Sequence, residues 1–455
     1  MEMILEFLRD VLSQPALLIG IMSCVGLIAL KRPFHKVMTG TLKPILGYLM
    51  LAAGAGVIVS NLDPLGKMIE HGFHITGVVP NNEAIVAVAQ KVLGVETMSI
   101  LVVGLLMNLC IARFTKFKYV FLTGHHSLFM ACLMSAVLGT AGLSGIELIL
   151  VGGFLMGAWS AISPAIGQSY TSKVTDGDEI ALGHFGSLGY YLSAWVAKYI
   201  GKAEESTEDI EIPEKWGFLR DSTLSTALTM IVFYLIAAIA AGSEFVATLS
   251  GSMSPYLFAI MSAMNFAVGV AIVYSGVRMI LGDLIPAFQG IATKIIPNAI
   301  PAVDCAVFFT YAPTAVVLGF ISSFIGGIIG MLILGAVGGV LIIPGLVPHF
   351  FCGATAGIYG NATGGRRGAA VGAFLNGLAI TFLPALALPV LGQLGFQNTT
   401  FGDADFAVMG LVLGNAFEWI GMAGIYGIVV IAALVLIIPN FIKTKGKVIN
   451  YVEED

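Results

Sequence analysis

The chain has 455 residues, of which 57% are hydrophobic and 11% charged, with a net charge of −5. Soluble domains carry about 25% charged residues, and a mean hydropathy of +0.94 leaves too few charges to cover a water-facing surface of this size. The composition excludes a soluble globular protein and fits an all-α membrane protein, whose lipid-facing surface is apolar. The 56 glycines suit close helix packing and broken helices within a bilayer.

About 20 apolar residues cross a hydrocarbon core roughly 30 Å thick. About eleven candidate transmembrane helices follow along the chain, near 15–30, 43–61, 97–112, 119–140, 145–166, 224–241, 254–276, 302–320, 322–345, 367–392 and 420–441. Basic residues cluster after the first span (Lys31, Arg32, Lys36, Lys43), after the third (Arg113, Lys116, Lys118), after the fifth (Lys173, Lys198, Lys202) and after the last (Lys443, Lys445, Lys447). The positive-inside rule puts these segments in the cytoplasm. The N-terminus is then outside and the C-terminus cytoplasmic.

The most polar stretch, 168–222, holds the acidic run Glu204–Asp209 and an aromatic centre with His184, Phe185, Tyr190, Tyr191 and Trp195. It reads as an amphipathic or re-entrant element followed by a cytoplasmic loop. Ile45-Leu46-Gly47-Tyr48-Leu49 echoes Ile280-Leu281-Gly282-Asp283-Leu284 about half a chain later, as in transporters built from two inverted repeats. The expected division is a first repeat at 1–167, the polar element at 168–222, a second repeat with the last spans at 223–441, and a cytoplasmic tail at 442–455. The five cysteines lie in apolar stretches without a C-x-x-C pair and read as small core residues.

Ionisable side chains at membrane depth are costly and mark solute or ion pathways. Asp304 follows Pro297 and Pro301, where a broken helix leaves backbone groups free. Its carboxylate is placed to accept hydrogen bonds from vicinal hydroxyls, or to cap the helix after the break. His125, after Leu122-Thr123-Gly124, and His184, between Gly183 and Gly186, offer imidazoles suited to a polyhydroxy ligand, or stand as a helix start and a loop histidine. Asn82 and Glu83 open a helix after Pro80 and either cap it or face the solute. Asp283 and Gln289 are weaker candidates. A zinc site is not expected, because no further ligand has suitable spacing. Gly364-Gly365-Arg366-Arg367-Gly368 lacks the phosphate-loop pattern, and no nucleotide motif occurs. Transport of a small polar solute would draw on an ion gradient or on a partner protein. No cofactor and no nucleic-acid partner is expected.

These motifs together resemble the enzyme IIC membrane component of the bacterial sugar phosphotransferase system, of the ascorbate type. The resemblance rests on Leu122-Thr123-Gly124-His125, Val174-Thr175-Asp176-Gly177 with Gly183-His184, and Glu204–Asp209. Further along it rests on Gly276-Val277-Arg278-Met279, Ala287–Ile291, Asp304-Cys305-Ala306, Tyr311–Val317 and Leu341–Gly345. It implies a homodimer in the bacterial inner membrane, surrounded by lipid, with eleven spans per subunit. Each subunit would have an elevator-type core domain that carries substrate and a scaffold domain that dimerises. It also implies that the chain is a permease and not itself an enzyme. A phosphorylated enzyme IIB, supplied by IIA, HPr and enzyme I, would phosphorylate the sugar or polyol substrate. His125, His184 and Asp304 match family positions that look like substrate contacts. Asn82 and Glu83 stand where the family pattern has Thr-Tyr, and Phe129 and Phe185 where it has glutamines. Aromatic faces suit the C–H surfaces of a sugar, and Glu83 disfavours an anion such as ascorbate, which points to a neutral pentose, pentitol or related solute. The alternative is an ion-coupled secondary transporter with Asp304 and Glu83 as ion sites.

Overall fold

A computed structural model describes residues 11, 14–74, 77–80, 82–210, 222–392 and 399–441. The predicted tail at 442–455 lies outside them. The described chain is predominantly helical: α1 (Pro15–Ala29), α2 (Phe34–Gly72), α3 (Asn82–Phe114), α4 (Gly124–Thr140), α5 (Gly145–Thr175), α6 (Ser187–Ile200), α7 (Ser222–Ala241), α8 (Ser243–Ser250), α9 (Pro255–Lys294), α10 (Pro313–Ala336), α11 (Leu346–Gly392), α12 (Ala404–Ile420) and α13 (Met422–Phe441). Among the described residues seven helices are long and apolar enough to cross a membrane, or eight if the pair α7–α8, bent by 117°, counts as one span.

Five short strands interrupt the helices: β1 (Val79–Pro80), β2 (Tyr119–Phe121), β3 (Ala181–Leu182), β4 (Ile300–Val303) and β5 (Thr399–Thr400). They form two parallel sheets, one ordered β2-β4-β3 and the other pairing β1 with β5, with Val78 bridged in parallel to Ile342.

Two predicted spans are corrected here. Residues 302–320 are not one helix, and 322–345 is not a separate one. Instead β4 leads to a 3₁₀ turn at Cys305–Thr310 and then to α10. The prolines explain this: Pro301 cannot continue a helix, and Pro313 is placed to begin one. Pro301 is tolerated inside β4 because β3 pairs only with Ala302 and Val303, so no ladder bond is lost at residue 301. The span predicted at 119–140 likewise begins as a strand. Gly364 and Gly365 break α11, with Gly365 at φ +59°, a conformation that favours glycine. Of the cysteines read as core residues, Cys132, Cys305 and Cys352 are buried, whereas Cys110 is exposed.

Packing sorts the helices into two bundles that cut across the predicted sequence division. In the first, α2 lies along α9, joined by α1 and α7. In the second, α11 packs on α10 and α6, α3 packs on α5, and α12 and α13 close the group. The α2–α9 seam is set by glycine. A Cβ at Gly47 would stand 2.8 Å from the Gly276 carbonyl oxygen, and one at Gly54 would stand 2.7 Å from the Gly269 carbonyl oxygen. Backbones touch directly, as small residues permit between membrane helices. Gly47→Ala is therefore expected to force the helices apart and destabilise the bundle by about 1–3 kcal/mol, the usual cost of overpacking. An unchanged melting temperature of the purified variant would contradict this.

Candidate functional site

The first sheet explains how distant residues meet. Its strands are parallel, with Phe121 level with Ala302 and Ala181 level with Ala302. Residues that follow each strand therefore emerge at one edge: His125 and His126 after β2, Asp304 after β4, and His184 after β3. The second sheet does the same for Asn82 after β1 and Asp403 after β5. Strand ends cannot satisfy all their own backbone groups, so nearby polar side chains are drawn to them.

Asp304 is 7% exposed. One carboxylate oxygen accepts the Ala306 N–H at 3.0 Å, capping the 3₁₀ turn. The other faces His125 Nε2 at 3.4 Å. The capping reading of this residue is met by one oxygen, and the other meets His125. His125 Nδ1 lies 3.2 Å from the Tyr48 hydroxyl of α2. With Nε2–H directed at the carboxylate, Nδ1 is the acceptor and Tyr48 the donor.

His126 and His184 are buried, and their rings are 3.8 Å apart. His126 Nδ1 accepts the Phe185 N–H at 3.3 Å, and His184 Nδ1 accepts the Gly186 N–H at 3.1 Å. Tyr190 Oη approaches the same nitrogen of His184 at 2.9 Å. A backbone N–H can only donate, so both imidazoles are neutral with the proton on Nε2. The groups His125–His126–Asp304 and His126–His184–Asp403 hold their ligand atoms within 4.8 Å, yet these bonds oppose a metal. A ligating imidazole donates its second N–H to an acceptor, whereas here that position receives a donor. The pair instead supplies hydrogen-bond donors.

Asp403, absent from the sequence reading, follows β5 and gathers donors from two other elements. It accepts from Asn82 Nδ2 at 2.6 Å and from the Cys352 thiol at 3.0 Å, and lies 3.8 Å from His184 Nδ1. Asn82 Oδ1 in turn accepts the Gly402 N–H at 2.9 Å, which fixes the turn before α12. Asp405, two residues on, is held by Ser187 Oγ at 2.7 Å, the Leu188 N–H at 2.9 Å and Trp159 Nε1 at 3.2 Å. The available signal was the pair Asp403 and Asp405 opening an apolar helix, the pattern of an N-terminal cap.

The remaining predicted residues divide. Phe129 is buried beside the site, its ring edge-on to His125 at 5.8 Å, and Phe406 stacks on His126 at 5.6 Å. The Phe185 ring is fully buried and stacks on Phe121 at 4.6 Å, so its backbone N–H, not its ring, serves His126. Glu83 begins in α3, but its side chain lies outside the described residues, as does that of Gln289. Asp283 pairs with Lys43 across the α2–α9 seam at 3.5 Å. Asp304 lies 3.4 Å from His125 Nε2 and Asp403 lies 3.8 Å from His184 Nδ1, and among the described residues neither pairs with a lysine or arginine. The cluster combines carboxylate acceptors, neutral imidazole donors and aromatic faces, which suits hydroxyl groups on an apolar ring or chain.

Residues 10–405 match the family model described as "PTS system sugar-specific permease component". A relative from Mycoplasma pneumoniae (strain ATCC 29342 / M129 / Subtype 1), an "Ascorbate-specific PTS system EIIC component", is 26% identical over 417 residues, covering 78% of this chain. The chain spans 62% of the length of that relative.

Proposed function

Because the chain belongs to the family of PTS system sugar-specific permease components, we propose that it binds a small neutral sugar or polyol and carries it across the membrane for phosphorylation by a partner enzyme IIB. The observation that carries this reading is the meeting of His125, His126, His184, Asp304, Asn82 and Asp403 at the ends of two strand sets inside an apolar helical protein. Buried polar groups of this kind are stable only when partnered, and hydroxyls of a guest can serve as partners. The two acidic residues, which pair with no lysine or arginine among the described residues, favour a neutral solute over an anion. The relative from Mycoplasma keeps ascorbate within the set to be tested. Phosphoryl transfer is assigned to the partner, with IIA, HPr and enzyme I upstream, since the site offers hydrogen bonding and no phosphate cradle.

We propose further that the first bundle is a dimerising scaffold and the second a mobile core that moves as an elevator, in lipid, with the N-terminus outside. The division of the helices into two bundles by their packing supports this. Two inverted repeats, and a complement of eleven spans, belong to the same proposal. Residues 34–200 and 255–420 run through one element order: long helix, central strand, helix, edge strand, helix pair, edge strand, helix. Val120 then corresponds to Ile342 and Pro301 to Val78, a displacement of roughly 220 residues. This correspondence replaces the echo between 45–49 and 280–284 as the basis for the repeat.

Binding of pentoses, pentitols and ascorbate to the purified protein tests the reading. A neutral polyol is expected to bind at least tenfold more tightly than ascorbate, and the reverse order would refute the neutral-solute proposal. Phosphorylation of the bound solute by reconstituted partner enzymes separates this reading from ion-coupled transport, in which a protonophore would collapse uptake.

A further inference from the structure

The solute cluster is built almost wholly on the second bundle, and one residue of the first bundle reaches it. Tyr48 lies on α2 next to Gly47, whose backbone is pressed against Gly276 and Ile280 of α9. Its Cα is therefore fixed on the first bundle. Its side chain is 6% exposed, and its hydroxyl bonds His125 Nδ1 at 3.2 Å. The bond continues through His125 Nε2 to Asp304 Oδ2 at 3.4 Å. Elsewhere the bundles meet through apolar side chains, as where Phe266 of α9 packs edge-on to Phe350 of α11 at 5.0 Å and Phe233 of α7 lies 6.3 Å from Phe320 of α10.

We propose that Tyr48 is a positioning residue that stands in for a solute hydroxyl on His125, so that solute and scaffold compete for one acceptor nitrogen. The proposal rests on the sugar-permease reading and deepens it. His125 is the most accessible side chain of the cluster, at 39% exposure, so a guest can approach it. Its Nδ1 has a single lone pair. With Nε2–H committed to the Asp304 carboxylate, Nδ1 accepts from Tyr48. A solute hydroxyl donating to the same nitrogen displaces Tyr48 and removes a hydrogen bond between the bundles. Occupancy is thereby coupled to how firmly the second bundle is held against the first. The coupling is a differential interaction with two states, as any ligand-driven shift requires.

The test compares wild type, Tyr48→Phe and Tyr48→Leu by calorimetric titration with xylitol, arabinitol, xylose and ascorbate. Tyr48→Phe keeps the ring and removes the competing hydroxyl, so the best-bound probe is expected to bind about fivefold more tightly, the worth of one net hydrogen bond. Tyr48→Leu is expected to move in the same direction. Elution as a single species checks folding of each variant, and either folded variant suffices. Unchanged or weaker binding overturns the competition, since a Tyr48 that served the solute as a ligand would give that sign. Wild type that binds none of the probes overturns the sugar-permease reading itself, and the competition with it. Wild type that binds while neither variant tightens overturns the competition alone.

Discussion

Asp304→Asn is expected to weaken solute binding by about 10–100-fold, with little loss of fold stability. The side chain makes two kinds of contact that the substitution separates. The oxygen that accepts the Ala306 N–H survives as the amide oxygen of Asn, so the 3₁₀ turn stays capped. The oxygen that faces His125 becomes an NH₂ group opposite an Nε2–H, two donors with no acceptor between them. A hydrogen bond to a charged group contributes roughly 1.5–3 kcal/mol. Loss of one such bond to a solute hydroxyl, at about 1.4 kcal/mol per factor of ten, gives the stated weakening. Titration of the purified variant with the best-bound polyol measures it. A change below threefold, with the fold intact, would remove Asp304 from the binding site.

Asp403→Ala is expected to reduce both stability and binding. This residue accepts from two elements, Asn82 after β1 and Cys352 of α11, rather than making a single contact. Truncation strands the Asn82 amide and the Cys352 thiol, both of which donate to it. It also frees the turn that Asn82 holds through the Gly402 N–H. Each buried donor left without an acceptor costs roughly 1–3 kcal/mol, so a loss of about 3–5 kcal/mol is expected, with a melting temperature several degrees lower. Binding should fall as well, because Asn82 loses the group that sets its position. Asp403→Asn keeps the shape but presents its NH₂ to a donor, and is expected to be intermediate. A variant that melts like wild type would show that the carboxylate is not what holds Asn82 and Cys352 in place.

The two variants differ in what they remove. Asp304 lies at the end of a central strand and retains its backbone cap, so its replacement should affect the guest more than the host. Asp403 lies between elements that are distant in sequence, so its replacement should affect both. This contrast follows from which hydrogen bonds each oxygen makes, since both residues are buried to a similar degree.

The sequence by itself determined the class of the protein, most of its long helices and several members of the cluster. Lipid sets these features locally: a span needs only a run of apolar residues, and an ionisable residue at that depth stands out against it. Asp304 was legible beside Pro297 and Pro301, and His125 and His184 beside their glycines. The tertiary structure alone decided which residues share the site. The strands that gather them are two to four residues long, too short to show any alternation in sequence. Their pairings join residues as far apart as Val79 and Thr399. It decided that 302–320 breaks into a strand and a turn, that the Phe185 ring stacks on Phe121, and that Asp403 and Tyr48 complete the cluster. The reason is that composition records whether a residue meets lipid, water or protein, while a hydrogen bond depends on a partner that only the assembled chain brings within 3 Å or so.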